Sequence, residues 1–346
     1  MIPQVRKLEN YSKSTIWVGE NLFQNLSKYL DKDFSNCHFI TDANVYAYYQ
    51  DLFPQKNVIV IPAGEASKSF TIIEKIIGEL VANNADRHSF LVGVGGGVVC
   101  DIAGFVASIY MRGIDFGYVS TTLLSQVDAS TGGKTGVNFR NIKNLIGTFN
   151  QPQFVLCDVS MLSTLPFKEY QCGLVEAIKH SIISDAQLFE FIASNLYQIL
   201  NLEVDVTTEL IYKSISIKAE IVNEDEFERS SRKKLNLGHT YGHAVESLTG
   251  ISHGEAVAQG LIFDVKLSHH LGRCDSTTAD RIRNILSKLD LSLNNSCTRE
   301  EILKLIKNDK KKKSASVDYI FIRKIGQCEI ENIPFEVLDD FMKIAP

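Results

Sequence analysis

Two patterns of hydrophobic and polar residues divide this chain. Up to about residue 160, short apolar runs alternate with amphipathic stretches of helical periodicity. Such alternation of strands and helices predicts an α/β domain with a mainly parallel sheet. The predicted helices lie at 21–30, 68–83 and 98–111, and the predicted strands at 15–18, 37–41, 57–61, 89–94, 116–120 and 154–158.

Beyond Pro166 the pattern changes to long helical stretches, which predict an all-α second domain. A small hairpin at 318–323 and 327–330 and a last helix are predicted near the end. We therefore expect an α/β domain at 1–160 and a helical domain at 161–346, with the cleft between them as the natural place for a ligand. The predicted helices of the second domain lie at 168–184, 205–226, 240–248, 255–271 and 278–289.

Composition narrows the class of protein. The 346 residues are 45% hydrophobic and 22% charged, as in soluble globular proteins. A net charge of -5 gives no reason to expect a nucleic-acid partner, and no apolar run approaches the ~20 residues that span a membrane. The N-terminus lacks the apolar segment of a signal peptide, and the seven cysteines form no C-x-x-C. We expect reduced thiols and a cytoplasmic location.

Histidines in the second half form a candidate metal site. His239 and His243, in L-N-L-G-H-T-Y-G-H, are four residues apart and share one face of a helix. His253 follows in H-G-E-A-V, and Glu176 offers an oxygen from G-L-V-E-A-I-K-H. Two imidazoles and one carboxylate suit a zinc ion that keeps a position open for substrate.

An isolated pair of helical histidines is more often polar surface than a metal site. Here, however, the pair lies among Gly238, Gly242 and Gly254, which helix propensity disfavours. We interpret these glycines as places where backbone or a ligand approaches closely, which favours the metal site.

A glycine-rich turn in the first half indicates a phosphate-binding loop. S-F-L-V-G-V-G-G-G-V-V-C-D runs from a strand into a helix, where backbone N–H groups can approach a phosphate. It is not G-x-G-x-x-G, because Val98 occupies the place of the last glycine. Asp42 after the second strand could accept hydrogen bonds from a ribose, and Glu65 and Lys68 follow the third. Each could be a turn or helix cap; together they favour a dinucleotide.

Several motifs in a fixed order give the chain a family resemblance. G-G-G-V-V-C-D, T-T-L-L-S-Q-V-D-A-S-T-G-G-K-T-G-V-N, K-N-L-I-G and G-H-T-Y-G-H resemble those of 3-dehydroquinate synthases. The resemblance extends from about Ile16 to the D-K-K segment at 309–311. It implies an N-terminal nucleotide-binding α/β domain with a mainly parallel sheet and an all-α C-terminal metal-binding domain, in agreement with the pattern above.

The family resemblance implies an activity and its cofactors. Family members bind NAD and one divalent metal, usually zinc, with cobalt as an alternative. They convert the sugar phosphate 3-deoxy-D-arabino-heptulosonate 7-phosphate into 3-dehydroquinate and phosphate, the second step of the shikimate pathway. Oxidation, β-elimination of phosphate, reduction, ring opening and intramolecular aldol closure follow one another, so NAD returns to its starting state. Family members are commonly homodimers.

The resemblance also assigns site residues. The metal ligands become Glu176, His239 and His253, whereas His243 becomes a polar neighbour of the substrate and His180 is structural. Because the substrate carries a carboxylate and a phosphate, its pocket should be cationic. The implied substrate residues are Arg112, Asp128, Lys134, Asn144, Lys179, Lys218, Arg232, Asn236, His243 and the pair Lys310 and Lys311. The implied NAD residues are Asp42, Asn44, Glu65, Lys68, Gly96, Gly97, Val98, Asp101, Thr121, Thr122, Lys134, Lys143, Asn144, Met161, Thr164 and Glu169.

Two charge runs, 230–234 and 307–313, would ordinarily be solvated surface. We keep that interpretation for Lys233, Lys234, Lys312 and Lys313, and the resemblance favours function for Arg232. The chain also departs from the family pattern at Cys100 and Ile142, where glycine is common. These departures could change the affinity for NAD, but neither removes a group that the reaction needs.

Three alternatives compete with this interpretation. Another sugar-phosphate cyclase, such as a 2-epi-5-epi-valiolone or 2-deoxy-scyllo-inosose synthase, would keep NAD and metal; the retained Lys218, Arg232, Asn236 and D-K-K pair disfavour it. A polyol or alcohol dehydrogenase of similar fold would not need the cationic cluster. A non-catalytic binding protein is disfavoured because every expected chemical residue is present.

Overall fold

The computed structural model describes residues 5–11, 14–30, 34–140, 142–310 and 316–344. It divides into two compact units: residues 1–166 with 201–227, and residues 167–200 with 228–346. The division predicted from sequence placed residues 161–166 and 201–227 in the second domain, whereas they belong to the first unit. We describe each unit by itself.

The strands are β1 (Arg6–Tyr11), β2 (Ser14–Gly19), β3 (Cys37–Asp42), β4 (Val58–Ile61), β5 (Phe90–Gly95), β6 (Asp115–Ser120), β7 (Lys134–Phe139), β8 (Ile142–Phe149), β9 (Phe154–Asp158), β10 (Ser316–Lys324) and β11 (Gln327–Pro334). The helices are α1 (Ala43–Tyr49), α2 (Phe70–Ala82), α3 (Gly97–Ile109), α4 (Phe167–Ser184), α5 (Ala186–Ser194), α6 (Leu196–Leu200), α7 (Val204–Glu224), α8 (His239–Thr249), α9 (His253–His270), α10 (Ser276–Leu286), α11 (Arg299–Lys310) and α12 (Phe335–Ile344).

A seven-stranded sheet organises the first unit. Its order is β1-β2-β9-β6-β5-β3-β4, and every neighbouring pair is parallel except β1 with β2. All six residues of β5 are buried, as expected for a central strand covered on both faces. The predicted parallel α/β sheet is therefore confirmed, and all six predicted strands are present. The hairpin β7–β8 forms a separate two-stranded sheet.

One predicted helix of the first unit is wrong. Residues 21–30 form turns with a short 3₁₀ segment, Leu26–Lys28. Asn21 has a left-handed φ of 56°, and the Asp158 carboxylate accepts a hydrogen bond from the Phe23 amide at 2.9 Å. Leu22, Phe23 and Leu26 are still buried in the core. The spacing of the apolar residues thus predicted correctly which side chains are buried. However, a succession of turns buries them, not a helix.

Helix α7 packs on the first unit although it follows helices of the second in sequence. It contacts β1, β2 and the turn that contains Asp128. Arg6 pairs with Glu209, and the Arg6 guanidinium lies 5.0 Å from the ring centroid of Tyr212. These contacts explain why residues 201–227 belong to the first unit.

The second unit is helical, with one hairpin. β10 and β11 pair antiparallel, which confirms the predicted hairpin and adds a small sheet to the domain predicted as all-α. Val245 of α8, Leu267 of α9, Phe321 of β10 and Leu338 of α12 meet in one buried apolar cluster. The hairpin therefore completes the core that supports α8 and α9.

Two long helices, α4 and α9, are mostly buried in the protein. Almost all residues of α4 after its first turn are buried, as are most of α9. Among the described helices, none has both the length and the apolar character needed to cross a membrane.

Candidate metal and cofactor sites

Three side chains of the second unit converge on one point. Glu176 of α4 is fully buried, and His239 and His253 are the first residues of α8 and α9. Glu176 Oε1 lies 3.7 Å from His239 Nε2 and 3.5 Å from His253 Nε2. The potential ligand atoms all lie within 4.8 Å of one another. The structure thus brings together the carboxylate and two imidazoles that the family resemblance implied.

The second ring nitrogens of both histidines are also engaged. His239 Nδ1 lies 3.0 Å from the Leu237 carbonyl, and His253 Nδ1 lies 3.3 Å from Glu246 Oε2. An acceptor at Nδ1 favours the tautomer whose Nε2 lone pair is available to a metal. Burial lowers the pKa of His239 well below its usual value, and Lys179 adds to this, which favours the neutral ring that a metal needs. This donor set fits a divalent ion such as zinc.

Protonation of His253 competes with metal binding. Burial lowers its pKa, but hydrogen bonds to Glu176 and Glu246 outweigh burial and raise the pKa to about 9. An ion bound between the two rings would have to displace that proton. Glu246 was not identified from the sequence. Its signal was spacing: it lies three residues after His243 and seven after His239, on the same helical face.

His243 lies beside the triad without joining it. Its ring centroid is 5.0 Å from that of His239, and its side chain is exposed. It forms a second group with Glu246 and His253. The spacing alone suggested His239 and His243 as the ligand pair, whereas the structure groups His239 with His253 and Glu176. That His243 is a polar neighbour of the substrate stays a prediction.

Close backbone packing explains the glycines around the histidines. Gly238 caps α8 in the left-handed conformation, with φ 80°. A Cβ on Gly242 would lie 2.7 Å from the Ala256 carbonyl oxygen of α9, and a Cβ on Gly254 would overlap Cys172 of α4. It is therefore backbone and side chains of neighbouring helices, rather than a ligand, that require glycine at these two positions.

Two predicted cationic residues of the second unit are buried. Lys179, 1% exposed, pairs with Glu176 one helical turn away, and Arg232 is 2% exposed. Lysine and arginine are seldom fully buried unless they are paired.

An open pocket of about 370 Å³ lies next to Asn236. The Asn236 side-chain amide donates to Glu228 Oε1 at 2.8 Å. Glu228 was not identified from the sequence. In the structure it has a left-handed φ of 57°, a strained conformation for a residue other than glycine. Lys233 pairs with Asp318 at 2.8 Å at the same pocket, consistent with a solvated role. Lys311 and the side chain of Lys310 lie outside the described residues.

In the first unit, predicted NAD residues follow the carboxyl ends of five neighbouring parallel strands. The strands β9, β6, β5, β3 and β4 are adjacent in that order. Carboxyl ends of parallel strands share one edge of a sheet, where ligands of α/β folds bind. The residues concerned are Asp42 at the end of β3, Glu65 and Lys68 after β4, Gly96, Gly97, Val98 and Asp101 after β5, Thr121 and Thr122 after β6, and Met161 and Thr164 after β9.

The glycine-rich turn has the expected geometry for a phosphate. Gly96 caps α3 and Gly97 begins it, so their backbone lies at a helix N-terminus. A Cβ on Gly96 would lie 2.9 Å from Thr122 Cγ2, which explains the need for glycine. Cys100 points into the core, where burial raises the pKa of its thiol far above the usual range.

Lys68 is the centre of a polar network among predicted residues. It is 4% exposed, lies 2.5 Å from Asp101 Oδ2 and donates to Asn144 Oδ1. Burial raises the pKa of Asp101, although Lys68 opposes this. Asn138, which was not identified from the sequence, donates to Glu65 at 2.9 Å and accepts from the Asn144 amide at 2.8 Å.

Lys218 and Asp128 also pair within the first unit. Lys218 of α7 lies 2.8 Å from Asp128 Oδ1 and 2.5 Å from the Asp128 carbonyl. Asp128 belongs to a π-helical turn, Ser125–Ala129, a rare conformation that is frequent at functional sites.

Other predicted residues have structural contacts or remain exposed. Asp42 Oδ1 caps α1 by accepting from the Asn44 and Val45 amides. Tyr49 links to Met161 and Thr164. Arg112, Lys134, Lys143 and, in the second unit, Glu169 are exposed.

Comparison with known proteins identifies relatives along nearly the whole chain. The profile of the 3-dehydroquinate synthase N-terminal domain matches residues 58–172, and that of the C-terminal domain matches 173–312. A 3-dehydroquinate synthase from Dictyoglomus thermophilum is 41% identical over 327 residues, covering 93% of this chain and 92% of that protein. One from Thermodesulfovibrio yellowstonii is 44% identical over 291 residues, covering 83% and 80%.

Solved structures support the fold. A 2-epi-5-epi-valiolone synthase from Streptomyces hygroscopicus, with NAD⁺ and Zn²⁺ bound, matches with a TM-score of 0.88 at 25% identity, covering 99% of this chain and 98% of that one. A 2-deoxy-scyllo-inosose synthase, complexed with carbaglucose-6-phosphate, NAD⁺ and Co²⁺, matches with a TM-score of 0.84 at 23% identity over 99% of both chains. The fold class predicted from the sequence is confirmed. The two family profiles and the relatives at about 40% identity show that this chain belongs to the 3-dehydroquinate synthase family.

Proposed function

We propose that this chain converts 3-deoxy-D-arabino-heptulosonate 7-phosphate into 3-dehydroquinate and phosphate, with NAD and a divalent metal, preferably zinc. Family membership supports the reaction, and the convergence of Glu176, His239 and His253 supports the metal. That convergence is the observation on which the proposal most depends, because two imidazoles and a carboxylate form an open zinc site once His253 has given up its extra proton.

The cofactors and the protein divide the chemistry between them. When bound, the metal and NAD supply a Lewis acid at a substrate oxygen and a hydride acceptor. Residues of the chain would hold both cofactors. Residues at the strand ends of the first unit would bind the dinucleotide, and Glu176, His239 and His253 would bind the metal ion. Buried Lys179, Lys218 and Arg232 would bind and orient the substrate carboxylate and phosphate. We assign Lys310 and Lys311 to the same task.

The competing proposal is that this chain is a different sugar-phosphate cyclase. The similarity to 2-epi-5-epi-valiolone synthase, with a TM-score of 0.88, favours it. Against it, that protein is 25% identical, whereas 3-dehydroquinate synthases reach 44%. The two activities use different sugar phosphates, so substrate choice separates them.

We also propose that the protein forms a homodimer through the β7–β8 hairpin. Phe139, Ile142, Leu145 and Phe149 of this hairpin are 38–54% exposed, which is unusual for clustered apolar residues on a monomer. Arg112, exposed in a left-handed conformation with φ 71°, would reach toward the partner. Light scattering should give twice the chain mass. Leu145→Glu should halve that value, whereas Tyr197→Glu, at an exposed site on the second unit, should not.

We place the reaction in the cytoplasm. All seven cysteines are described and none forms a disulfide, although six of them are buried. Reduced thiols are typical of that compartment.

Phosphate release tests the proposed reaction. Purified protein is supplied with zinc, catalytic NAD and either 3-deoxy-D-arabino-heptulosonate 7-phosphate or sedoheptulose 7-phosphate. We expect release from the first alone, matched by 3-dehydroquinate, without accumulation of NADH. Release from the second alone would favour the valiolone-type cyclase. If neither sugar phosphate releases phosphate although NAD and zinc are shown to bind, both the 3-dehydroquinate synthase and the valiolone-type activity are excluded.

A further inference from the structure

The two histidines of the metal triad are held in parallel ways. Each ring turns Nε2 toward Glu176 and Nδ1 toward an acceptor on the other side. For His239 the acceptor is the Leu237 carbonyl, which is fixed by the backbone just before α8. For His253 it is a side chain, the carboxylate of Glu246. The orientation of His253 therefore depends on the side chain of Glu246, which a substitution can remove, whereas a substitution cannot remove the Leu237 carbonyl.

Glu246 is well placed for this contact. Its side chain is only 13% exposed, and it belongs to α8, the helix that begins with His239. His253 begins α9, which packs closely on α8 where Gly242 faces Ala256. The carboxylate thus spans the two helices that carry the histidines, 3.3 Å from His253 Nδ1.

We propose that Glu246 is a positioning residue that orients His253 as a metal ligand. With Nδ1 donating to Glu246, the ring cannot turn away without losing a charge-assisted hydrogen bond, and Nε2 stays directed at Glu176. Glu246 does not itself bind the ion. This inference rests on the proposed metal site and adds to it the group that fixes its most exposed ligand, since the side chain of His253 is 33% exposed and that of His239 is 14% exposed.

Zinc affinity and a cobalt spectrum test the proposal without relying on turnover. Glu246→Ala removes the acceptor, Glu246→Gln keeps a neutral acceptor oxygen, and Ser247→Ala is a control at the exposed neighbouring position. The full-length proteins are stripped of metal, and the zinc dissociation constant is measured by competition with a chromogenic chelator. Cobalt is then added, and its visible absorption reports ligand geometry. Unfolding temperatures of the metal-free proteins report any general damage.

We expect Glu246→Ala to bind zinc about 10–100-fold more weakly than wild type, with an altered cobalt spectrum. Glu246→Gln should recover most of the affinity and the wild-type spectrum, and Ser247→Ala should match wild type. The metal-free proteins should unfold at similar temperatures. If Glu246→Ala does not fold, Glu246→Leu has similar volume and no acceptor, and it should show the same loss.

Wild-type affinity and spectrum in a folded Glu246→Ala or Glu246→Leu protein would overturn the proposal. So would binding of two zinc ions by wild type with one lost on substitution, because Glu246 would then be a ligand of a second ion with His243. Failure of the metal site itself has a different signature: wild type would not bind one zinc tightly, or His239→Ala would bind it as wild type does.

Discussion

The amide of Gly238 donates a hydrogen bond to Asp264 Oδ2, 2.6 Å away. Tyr319 of β10 donates to the other oxygen of the same carboxylate. Asp264 therefore joins α9 and the hairpin to the left-handed residue that precedes His239. The buried side chain of Asp264, which lies outside the G-H-T-Y-G-H motif, thus helps to set where helix α8 begins.

Asp264 should make stability depend on pH. Burial raises its pKa to about 7, against the opposing hydrogen bonds from Tyr319 and Gly238. The unfolded carboxyl titrates near 4, so between about pH 4 and 7 the folded protein keeps a proton that the unfolded chain releases. This contribution to stability is complete below pH 4 and is lost as pH rises through 7.

Asp264→Asn lacks this titration and can still bond both partners, because the Tyr319 hydroxyl can turn to accept from its amide. The unfolding temperature of metal-free wild type minus that of the variant should therefore fall between about pH 4.5 and 7.5. A difference that does not change with pH would contradict the assignment.

His239→Ala should abolish both tight zinc binding and turnover, because it removes one of three ligands and leaves a buried carboxylate without it. Zinc content after dialysis, measured by atomic emission, checks the first effect. An active variant that still carries one zinc per chain would overturn the ligand assignment.

Arg232→Ala should lower kcat/KM by about 100-fold or more, equivalent to about 2.7 kcal/mol, while NAD and zinc still bind. The guanidinium is buried and proposed to bind a substrate anion. NAD binding by fluorescence and zinc content serve as controls for folding. Turnover at the wild-type rate would remove Arg232 from the active site.

Gly242→Ala should destabilise the protein by about 1–3 kcal/mol, because the new methyl group would meet the Ala256 carbonyl at 2.7 Å. Gly78→Ala in α2 is the matched control, since its Cβ would meet nothing within 4 Å and should stabilise by about 0.5–1 kcal/mol. Denaturant unfolding compares the two. Equal effects would show that α8 and α9 can separate without strain.

Cys100 should resist thiol reagents in the folded protein. It is 1% exposed, and burial keeps it as the neutral thiol. A chromogenic disulfide should label partly exposed Cys297 first, and Cys100→Ser should show the native labelling of wild type. Fewer labelled thiols in native Cys100→Ser would indicate that the glycine-rich turn opens.

Sequence patterns recovered the parallel sheet because each strand is a short apolar run between turns. The helix predicted at 21–30 is wrong for a physical reason. Leu22, Phe23 and Leu26 are buried as a helix would bury them, but the segment forms turns that Asp158, distant in sequence, helps to hold. Glu246, Glu228 and Asn138 were missed for a related reason. Each acts through a contact with another side chain, and such contacts exist only after the chain has folded.

The position of α7 has a consequence for how the protein is made. Helix α4, which carries Glu176, leaves the ribosome before α7, which the first unit needs for completion. Neither unit can finish folding before part of the other has been synthesised, although domains generally fold one after another during synthesis. A fragment that ends at residue 160 would lack Lys218 and the helix that contacts β1 and β2. The first unit is therefore complete only once residue 227 has been synthesised, after α4 of the second unit.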